Sequence, residues 1–438
     1  MYFKPNMKPK ENIFEHLNKW IIGALFLVAI TFPLPILISN IALYGLSFLW
    51  LVQLIINCKL RLSFFDKKNK AVLVVFLLLF LWQALSLLYN TNLLEGLKNV
   101  ESKYSLVLLP LVLFTTKITK NLLLSLFKSV VYSITLVSVF LLMNLYFIYL
   151  NTNEIIVYHD FTNVIGLHAV FFSYYVFFNV LLISFLYYKT VSTLFERVVY
   201  LISILLSFVV LVIAASKNVL IVTILSVIIG YLISIKTRRI KAKEVILLLI
   251  TIVVCGFVFF QTETVKSRLN EVSDLGGLEV FEKVKEGTPI TESDVNKFNG
   301  TTLRLTLWYL GIKTLVHEDR LLIGLTAGDR KDIMNGVFDE TGLNPWYFDY
   351  NLHNQFVQSL VEMGIVGLGL YLILLSLLMY RSVKDKNWLL AIFLSAFIIF
   401  QMTESVLERN KGIVFFIFII MLLLKLNPNC DEDRNIRD

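Results

Sequence analysis

Charge is what this sequence has least of. Only 16% of its 438 residues are Asp, Glu, Lys or Arg, while 57% are hydrophobic and mean hydropathy is +0.74. Those values exclude an ordinary water-soluble domain, in which about 25% of residues carry charge. The net charge of +8 does not signal nucleic acid, because Lys and Arg fall between apolar runs instead of clustering on a polar surface. Cysteine is scarce: Cys58, Cys255 and Cys430 lie in or beside apolar runs or in the tail, which excludes a disulfide framework and a thiolate metal cluster. No His/Asp/Glu set has zinc-ligand spacing, and no P-loop or glycine-rich dinucleotide motif occurs, so no metal and no bound cofactor are expected. A small-residue cleavage site is missing after the polar stretch that ends at Trp20, so the first apolar run is expected to be retained.

Long apolar runs are what the chain has in abundance. Crossing about 30 Å of hydrocarbon takes roughly 20 apolar residues, and lipid forces them to be helical. The expected fold is an all-α integral membrane protein with about 12 transmembrane helices. They fall near 20–33, 35–57, 71–89, 104–116, 123–150, 164–188, 196–215, 218–235, 244–260, 356–380, 387–403 and 412–426. Pro33 and Pro35 place a tight turn between the first two. Basic residues set the orientation. Lys4, Lys8, Lys10 and Lys19 precede the first run; Lys59, Arg61, Lys67, Lys68 and Lys70 follow the second. Lys236, Arg238, Arg239, Lys241 and Lys243 follow the eighth; Arg381, Lys384 and Lys386 follow the tenth. Both termini are therefore expected in the cytoplasm, in a multi-pass protein of the cytoplasmic (inner) membrane. Three regions follow: a bundle over 1–260, a large extracytoplasmic loop over 261–355, and three spans with a short tail over 356–438.

Residues 261–352 hold 15 acidic and 10 basic residues, the balance of an exported segment. Its first part, Glu263 to Gly300, is polar and broken by Gly276, Gly277 and Gly287, and reads as irregular with short helices. From Thr301 to His317, Leu303, Leu307 and Leu310 recur at helical spacing, widened by Leu305, Trp308, Ile312 and Leu315. This is an amphipathic helix that can lie against the membrane surface. Arg304 sits in its first turn, where a solvated or snorkelling arginine is the plain explanation. Tyr347, Tyr350, His353, Asn354 and Gln355 then crowd the entrance of the tenth span, and polar groups gathered there suggest a site. Glu362, Gly364, Gly367 and Gly369 follow on what reads as the same helix, the glycines permitting close packing. Of the five histidines, His16 is expected inside, His168 within the sixth span, and His159, His317 and His353 outside.

Three separated patches resemble the O-antigen ligase and O-antigen polymerase superfamily of bacterial envelope enzymes. They are TLRLTLWYLGIKTL from Thr302, LIGLTAG from Leu322 and LHNQFVQSLVEMGIVGLG from Leu352. Their order and the long loop before the last three spans fit as well, and the resemblance covers roughly residues 200–425. It implies an inverting, metal-independent glycosyltransferase that moves a glycan from an undecaprenyl-diphosphate carrier to an acceptor hydroxyl, on the outer side of the membrane. Its partners would be that lipid-linked donor, lipid A core or another glycan acceptor, and membrane lipids.

The resemblance also implies residue roles. Arg304 matches the family's loop arginine, which would bind the departing diphosphate and offset its charge. Lys217, in AASKNVL, stands where the family commonly has arginine; lysine keeps the charge but lacks the planar fork. His353 matches the histidine before asparagine and would orient or deprotonate the attacking hydroxyl. Glu404, in QMTESVLERNKG, is expected to hold His353 or pair with Arg304, and Asn354 and Tyr350 complete the expected substrate contacts. Glu408, Arg409 and Lys411 read equally well as ordinary loop charges. A ligase is favoured by the order of the patches; a repeat-unit polymerase would use the same donor. A lipid-linked glycan transporter or flippase is the reading from another class, against which stands the absence of an internal repeat.

Overall fold

A computed structural model of the protein describes residues 9–63, 65, 67–190, 193–214, 217–236 and 276–426. Among these, every regular element is a helix. The first half holds α1 (Pro9–Thr31), α2 (Ile36–Ser63), α3 (Lys70–Leu85), α4 (Leu93–Ser102), α5 (Ser105–Thr115), α6 (Lys120–Thr152), α7 (His159–Asn163), α8 (Ala169–Thr190), α9 (Leu194–Ile213) and α10 (Lys217–Lys236). Next come α11 (Gly276–Glu286), α12 (Glu292–Val295), α13 (Gly300–His317) and α14 (Arg330–Thr341), then α15 (Gln355–Lys384), α16 (Trp388–Gln401) and α17 (Asn410–Lys425).

Among the described residues, seven helices are long and apolar enough to cross a membrane: α1, α2, α3 with its flanking 3-10 turns, α6, α8, α9 and α15. The eighth and eleventh expected spans form the shorter apolar helices within α10 and α16. The fourth and twelfth correspond to α5 and α17, of 11 and 16 residues. At 1.5 Å per residue α5 is about 16 Å long, short of a full crossing. The expected span at 244–260 and the loop residues 263–275 lie outside the described residues.

Helices that are apolar all round belong inside a bundle. In α8 89% of the spanning window is buried, against 33% in α1, α2, α6 and α9. With α8, the buried run Lys411 to Leu423 of α17 forms the centre, sealed by aromatic contacts such as Tyr175 to Phe415 at 4.2 Å and Phe397 to Phe416 at 3.7 Å. Lys411 is no ordinary loop charge. It is 7% exposed, and its ammonium donates to the Phe32 carbonyl at 3.0 Å, the Leu34 carbonyl and the Ser39 hydroxyl. The cation thereby covers carbonyls just past the C-terminus of α1.

Residues from Gly276 to Leu352 build a second hydrophobic core, including Val284, Leu307, Leu310, Phe338 and Leu352, to which Val361 of α15 contributes. The amphipathic helix α13 packs into this core through the expected stripe: Leu307, Leu310 and Leu315 are buried in it, and Leu303 and Trp308 pack against it. Thr302, Thr306, Leu307, Leu310, Gly311, Thr314 and Leu315 face inward, while Ile312 and Val316 are exposed. Gly311 is small where it must be, because Leu352 and Val361 lie against it.

The tenth expected span is not one continuous helix. Gly364 has φ +68° and ψ −172°, which breaks α15 into two arms. Phe356 of the first arm approaches Tyr371 of the second, ring centroids 6.2 Å apart, which a straight helix would hold about 22 Å apart. Backbone groups freed by such a break need partners. Leu325 N–H donates to the Val361 carbonyl at 2.8 Å, Thr326 N–H to the Glu362 carbonyl at 3.1 Å, and Ile365 N–H to the Leu321 carbonyl at 3.0 Å. Trp82 of α3 donates its indole N–H to the Met363 carbonyl at 2.9 Å. The segment 321–326 is thus plugged into the break. Gly324, at φ +81°, and Gly364 each leave no room for a side chain against the backbone of the opposing segment. A steric fit between backbones, more than helix packing, accounts for glycine at both positions.

Candidate functional site

The break in α15 sets its first arm so that residues 350–355 meet the connection 402–409 between α16 and α17. His353 precedes the first arm with φ +46°, a left-handed conformation that costs a non-glycine residue about 1–3 kcal/mol and persists where its surroundings hold it. They do so on both sides. Leu352 N–H donates to Gln358 Oε1 at 3.0 Å, and its carbonyl accepts from Trp308 Nε1 at 2.7 Å. His353 N–H donates to Asn351 Oδ1 at 2.9 Å. Asn354 caps the helix, its Oδ1 accepting from Phe356 N–H at 2.9 Å and Val357 N–H at 3.2 Å. The Asn354 N–H donates to Ser405 Oγ at 3.2 Å, and Leu407 N–H donates to Gln355 Oε1 at 2.6 Å, which locks the 402–409 connection onto the histidine segment.

Glu404 lies at the centre of this arrangement. Its Oε2 is 3.3 Å from His353 Nδ1 and its Oε1 is 3.6 Å from Arg304 Nη2. The side chains of Glu404, His353 and Arg304 are 8%, 22% and 30% exposed, so the carboxylate is the enclosed member and the two basic groups open outward. Burial alone would raise the Glu404 pKa, but the His353 hydrogen bond and the charges of His353 and Arg304 outweigh it and hold the carboxyl below its ordinary range. An ionised carboxylate only accepts, so the contact requires a proton on His353 Nδ1, and whenever the ring is neutral its lone pair is on Nε2. Arg304 also donates through Nη1 to the Gly300 carbonyl at 2.8 Å. Its Nε is buried and has no hydrogen-bond partner among the described residues, so the guanidinium is only partly used.

Tyr350 stands edge-on to His353 with centroids 5.8 Å apart, and its carbonyl accepts from Arg330 Nη1 at 3.5 Å. Lys217 is the first residue of α10, and its side chain lies outside the described residues. The start of that helix meets the end of α16, because Asn218 and Phe400 line one cavity. The structure therefore brings Arg304, His353, Glu404, Asn354 and Tyr350 together, with the backbone of Lys217 at the same end of the bundle.

Further residues sit here that the sequence did not single out. His159 and His168 meet edge-on with centroids 3.9 Å apart, and His168 is within electrostatic reach of Glu404, His353 and Arg409. The Arg409 guanidinium lies over the Phe171 ring at 5.9 Å. A histidine inside an apolar run reads as a core residue, so nothing at 168 alone could have placed it beside the loop. Glu362 and Glu408, the one read as a neighbour of packing glycines and the other as a loop charge, belong to a buried ionic cluster. Among the described residues, no three His, Cys, Asp or Glu side chains converge as a metal site.

Residues 202–372 match the family model described as O-antigen ligase. The matched stretch contains Lys217, Arg304 and His353 and the break at Gly364, and ends before Glu404. No curated protein matches the chain.

Proposed function

From the match of residues 202–372 to the O-antigen ligase family model, we propose that this protein is a membrane glycosyltransferase. It moves a glycan from an undecaprenyl-diphosphate carrier to an acceptor hydroxyl, on lipid A core or a similar glycolipid, at the outer face of the cytoplasmic membrane. The observation that carries this reading is the Glu404 carboxylate held between Arg304 at 3.6 Å and His353 at 3.3 Å.

That arrangement supplies what a direct displacement needs. The acceptor hydroxyl gives its proton to His353 Nε2 as its oxygen attacks the anomeric carbon, while Glu404 stabilises the imidazolium that forms. The bond from that carbon to the diphosphate oxygen breaks with its electron pair. Negative charge then gathers on the leaving group, where the Arg304 guanidinium offers its unused N–H donors. Attack opposite the leaving group inverts the anomeric centre. Lys217 and Tyr350 are proposed as further substrate contacts, and Asn354 as the residue that fixes the backbone carrying the imidazole. No step in this scheme calls for a metal ion, and the proposal is a metal-independent transfer.

Deleting the gene and separating the envelope glycolipids tests the proposal in the cell. Loss of long glycan from the lipid A core, with polymer accumulating on the lipid carrier, is the expected outcome. Core bearing a single repeat unit would replace the ligase by a polymerase acting through the same site. The same loss of long glycan, with lipid-linked glycan trapped on the cytoplasmic side, would instead identify a flippase.

A further inference from the structure

We infer that Arg330 and Glu408, held with Lys103 and Glu362 in a buried ionic quartet, are positioning residues that set the spacing between the segment bearing His353 and the segment bearing Glu404. This inference rests on the site reading above and adds to it residues that touch no substrate.

The quartet joins four places distant in sequence: the turn after α4, the first residue of α14, the first arm of α15 and the 402–409 connection. Lys103 Nζ lies 2.8 Å from Glu362 Oε1 and 3.0 Å from Glu408 Oε1. Arg330 Nε lies 3.7 Å from Glu362 Oε2, and its Nη2 lies 3.6 Å from Glu408 Oε2. None of the four side chains is more than 9% exposed. Gln358 Nε2 donates to Glu362 Oε2 at 3.2 Å, and Gln83 Nε2 donates to Glu362 Oε1. Two basic and two acidic side chains thus meet in a water-poor space. Burial alone would lower the Lys103 pKa and raise that of Glu408. Instead Glu362 and Glu408 keep the ammonium above its ordinary range, and Lys103 and Arg330 keep the Glu408 carboxyl below its own.

Such a cluster contributes little net stability relative to apolar side chains of the same volume, because desolvation offsets the attraction. What it supplies is geometry, and Arg330 shows how. One face of its guanidinium holds Glu408, four residues after Glu404. Its Nη1 donates to the Tyr350 carbonyl at 3.5 Å, three residues before His353. A single planar group therefore ties together the two chain segments whose side chains meet at 3.3 Å. Asp329, its neighbour, anchors it from behind by accepting from the N–H groups of Thr91 and Asn92 at 2.8 and 2.9 Å. The Gln358 that bonds Glu362 also accepts from Leu352 N–H, so the quartet reaches the histidine segment by a second route.

A double-mutant cycle on purified full-length protein tests the inference, with transfer from a lipid-linked donor and thermal unfolding as paired readouts. Arg330→Lys keeps one charge but cannot span both segments. It should lower kcat by about 10-fold or more while KM for the donor stays within about twofold, the signature of a misplaced reacting group. In a Glu404→Gln background, measured on its residual activity, the same change should cost less than about twofold, because the contact it served is already gone. If Arg330→Lys does not accumulate, Glu408→Gln carries the same cycle, removing one charge at nearly constant volume. Equal fold losses in both backgrounds, tracking a fall in unfolding temperature, would overturn the positioning role and leave a structural one. Full transfer by Glu404→Gln alone would overturn the site reading itself, and the inference with it.

Discussion

Arg304→Lys should reach the membrane in normal amount and yet transfer glycan on the order of 10²-fold more slowly than the unaltered protein. The charge survives the exchange, so the loss measures geometry. Arg304 donates through Nη1 to the Gly300 carbonyl at 2.8 Å and faces Glu404 through Nη2 at 3.6 Å, with Nε buried and unpartnered among the described residues. An ammonium has three donors around one point and no planar fork. It cannot bond the Gly300 carbonyl, face Glu404 and grip two oxygens of a departing diphosphate together. Because leaving-group charge is greatest in the transition state, the deficit should fall mainly on kcat, with a smaller rise in KM. The check is steady-state transfer by purified variants, with unfolding temperature measured alongside. Wild-type kcat in a well-folded Arg304→Lys would return this residue to the snorkelling arginine that its place in the amphipathic helix first suggests.

His353→Ala should lose transfer below detection while unfolding within a few degrees of the unaltered protein. The imidazole is 22% exposed and its polar contact is Glu404, so truncation opens no core cavity. The backbone bonds from Asn351, Gln358, Trp308 and Ser405 that hold the segment remain. Glu404 keeps Arg304 as a partner but loses the hydrogen bond that most strongly holds its pKa down. The sign follows from linkage. In the unaltered protein the Glu404 carboxyl is held below its ordinary pKa, and its contribution is lost as pH falls through that depressed value. Without His353, protonation begins at higher pH, so His353→Ala should lose stability earlier than the unaltered protein on acidification. Thermal unfolding followed from about pH 7 down to about pH 3, through the range in which carboxylates titrate, reads this shift. Retained transfer by the well-folded variant would remove His353 as the base.

Much of this site is legible in the amino-acid sequence alone. Arg304 and His353 stand out because each lies in a patch whose neighbours constrain it, and Glu404 because an acidic group beside an apolar run demands a partner. Sequence does not say who that partner is. Glu404 serves both at once, an arrangement that depends on the break at Gly364. Glycine is tolerated within membrane helices, so the run 356–380 reads as one uninterrupted span. Only the docking of residues 321–326 into it reveals why Gly324 and Gly364 belong to one device. The quartet is hidden for a similar reason. Lys103, Arg330, Glu362 and Glu408 have no common spacing, and each alone looks like a loop charge or a neighbour of packing glycines. The amphipathic helix lies where its periodicity places it and turns its leucine stripe inward, with Thr302, Thr306, Gly311 and Thr314 widening the buried face and Ile312 left outside.

The central claim is that this protein is itself a transferase, built on Arg304, Glu404 and His353. The most direct measurement gives the purified protein, in detergent with a chelator present and no ion gradient, a defined diphosphate-linked glycan on a polyprenyl carrier together with a lipid A core acceptor. The account predicts glycan joined to the acceptor with inverted anomeric configuration, free lipid diphosphate released in equal amount, and neither product from His353→Ala. Absence of transfer by folded protein under these conditions, with movement of the lipid-linked glycan across the bilayer after reconstitution into vesicles, would contradict it.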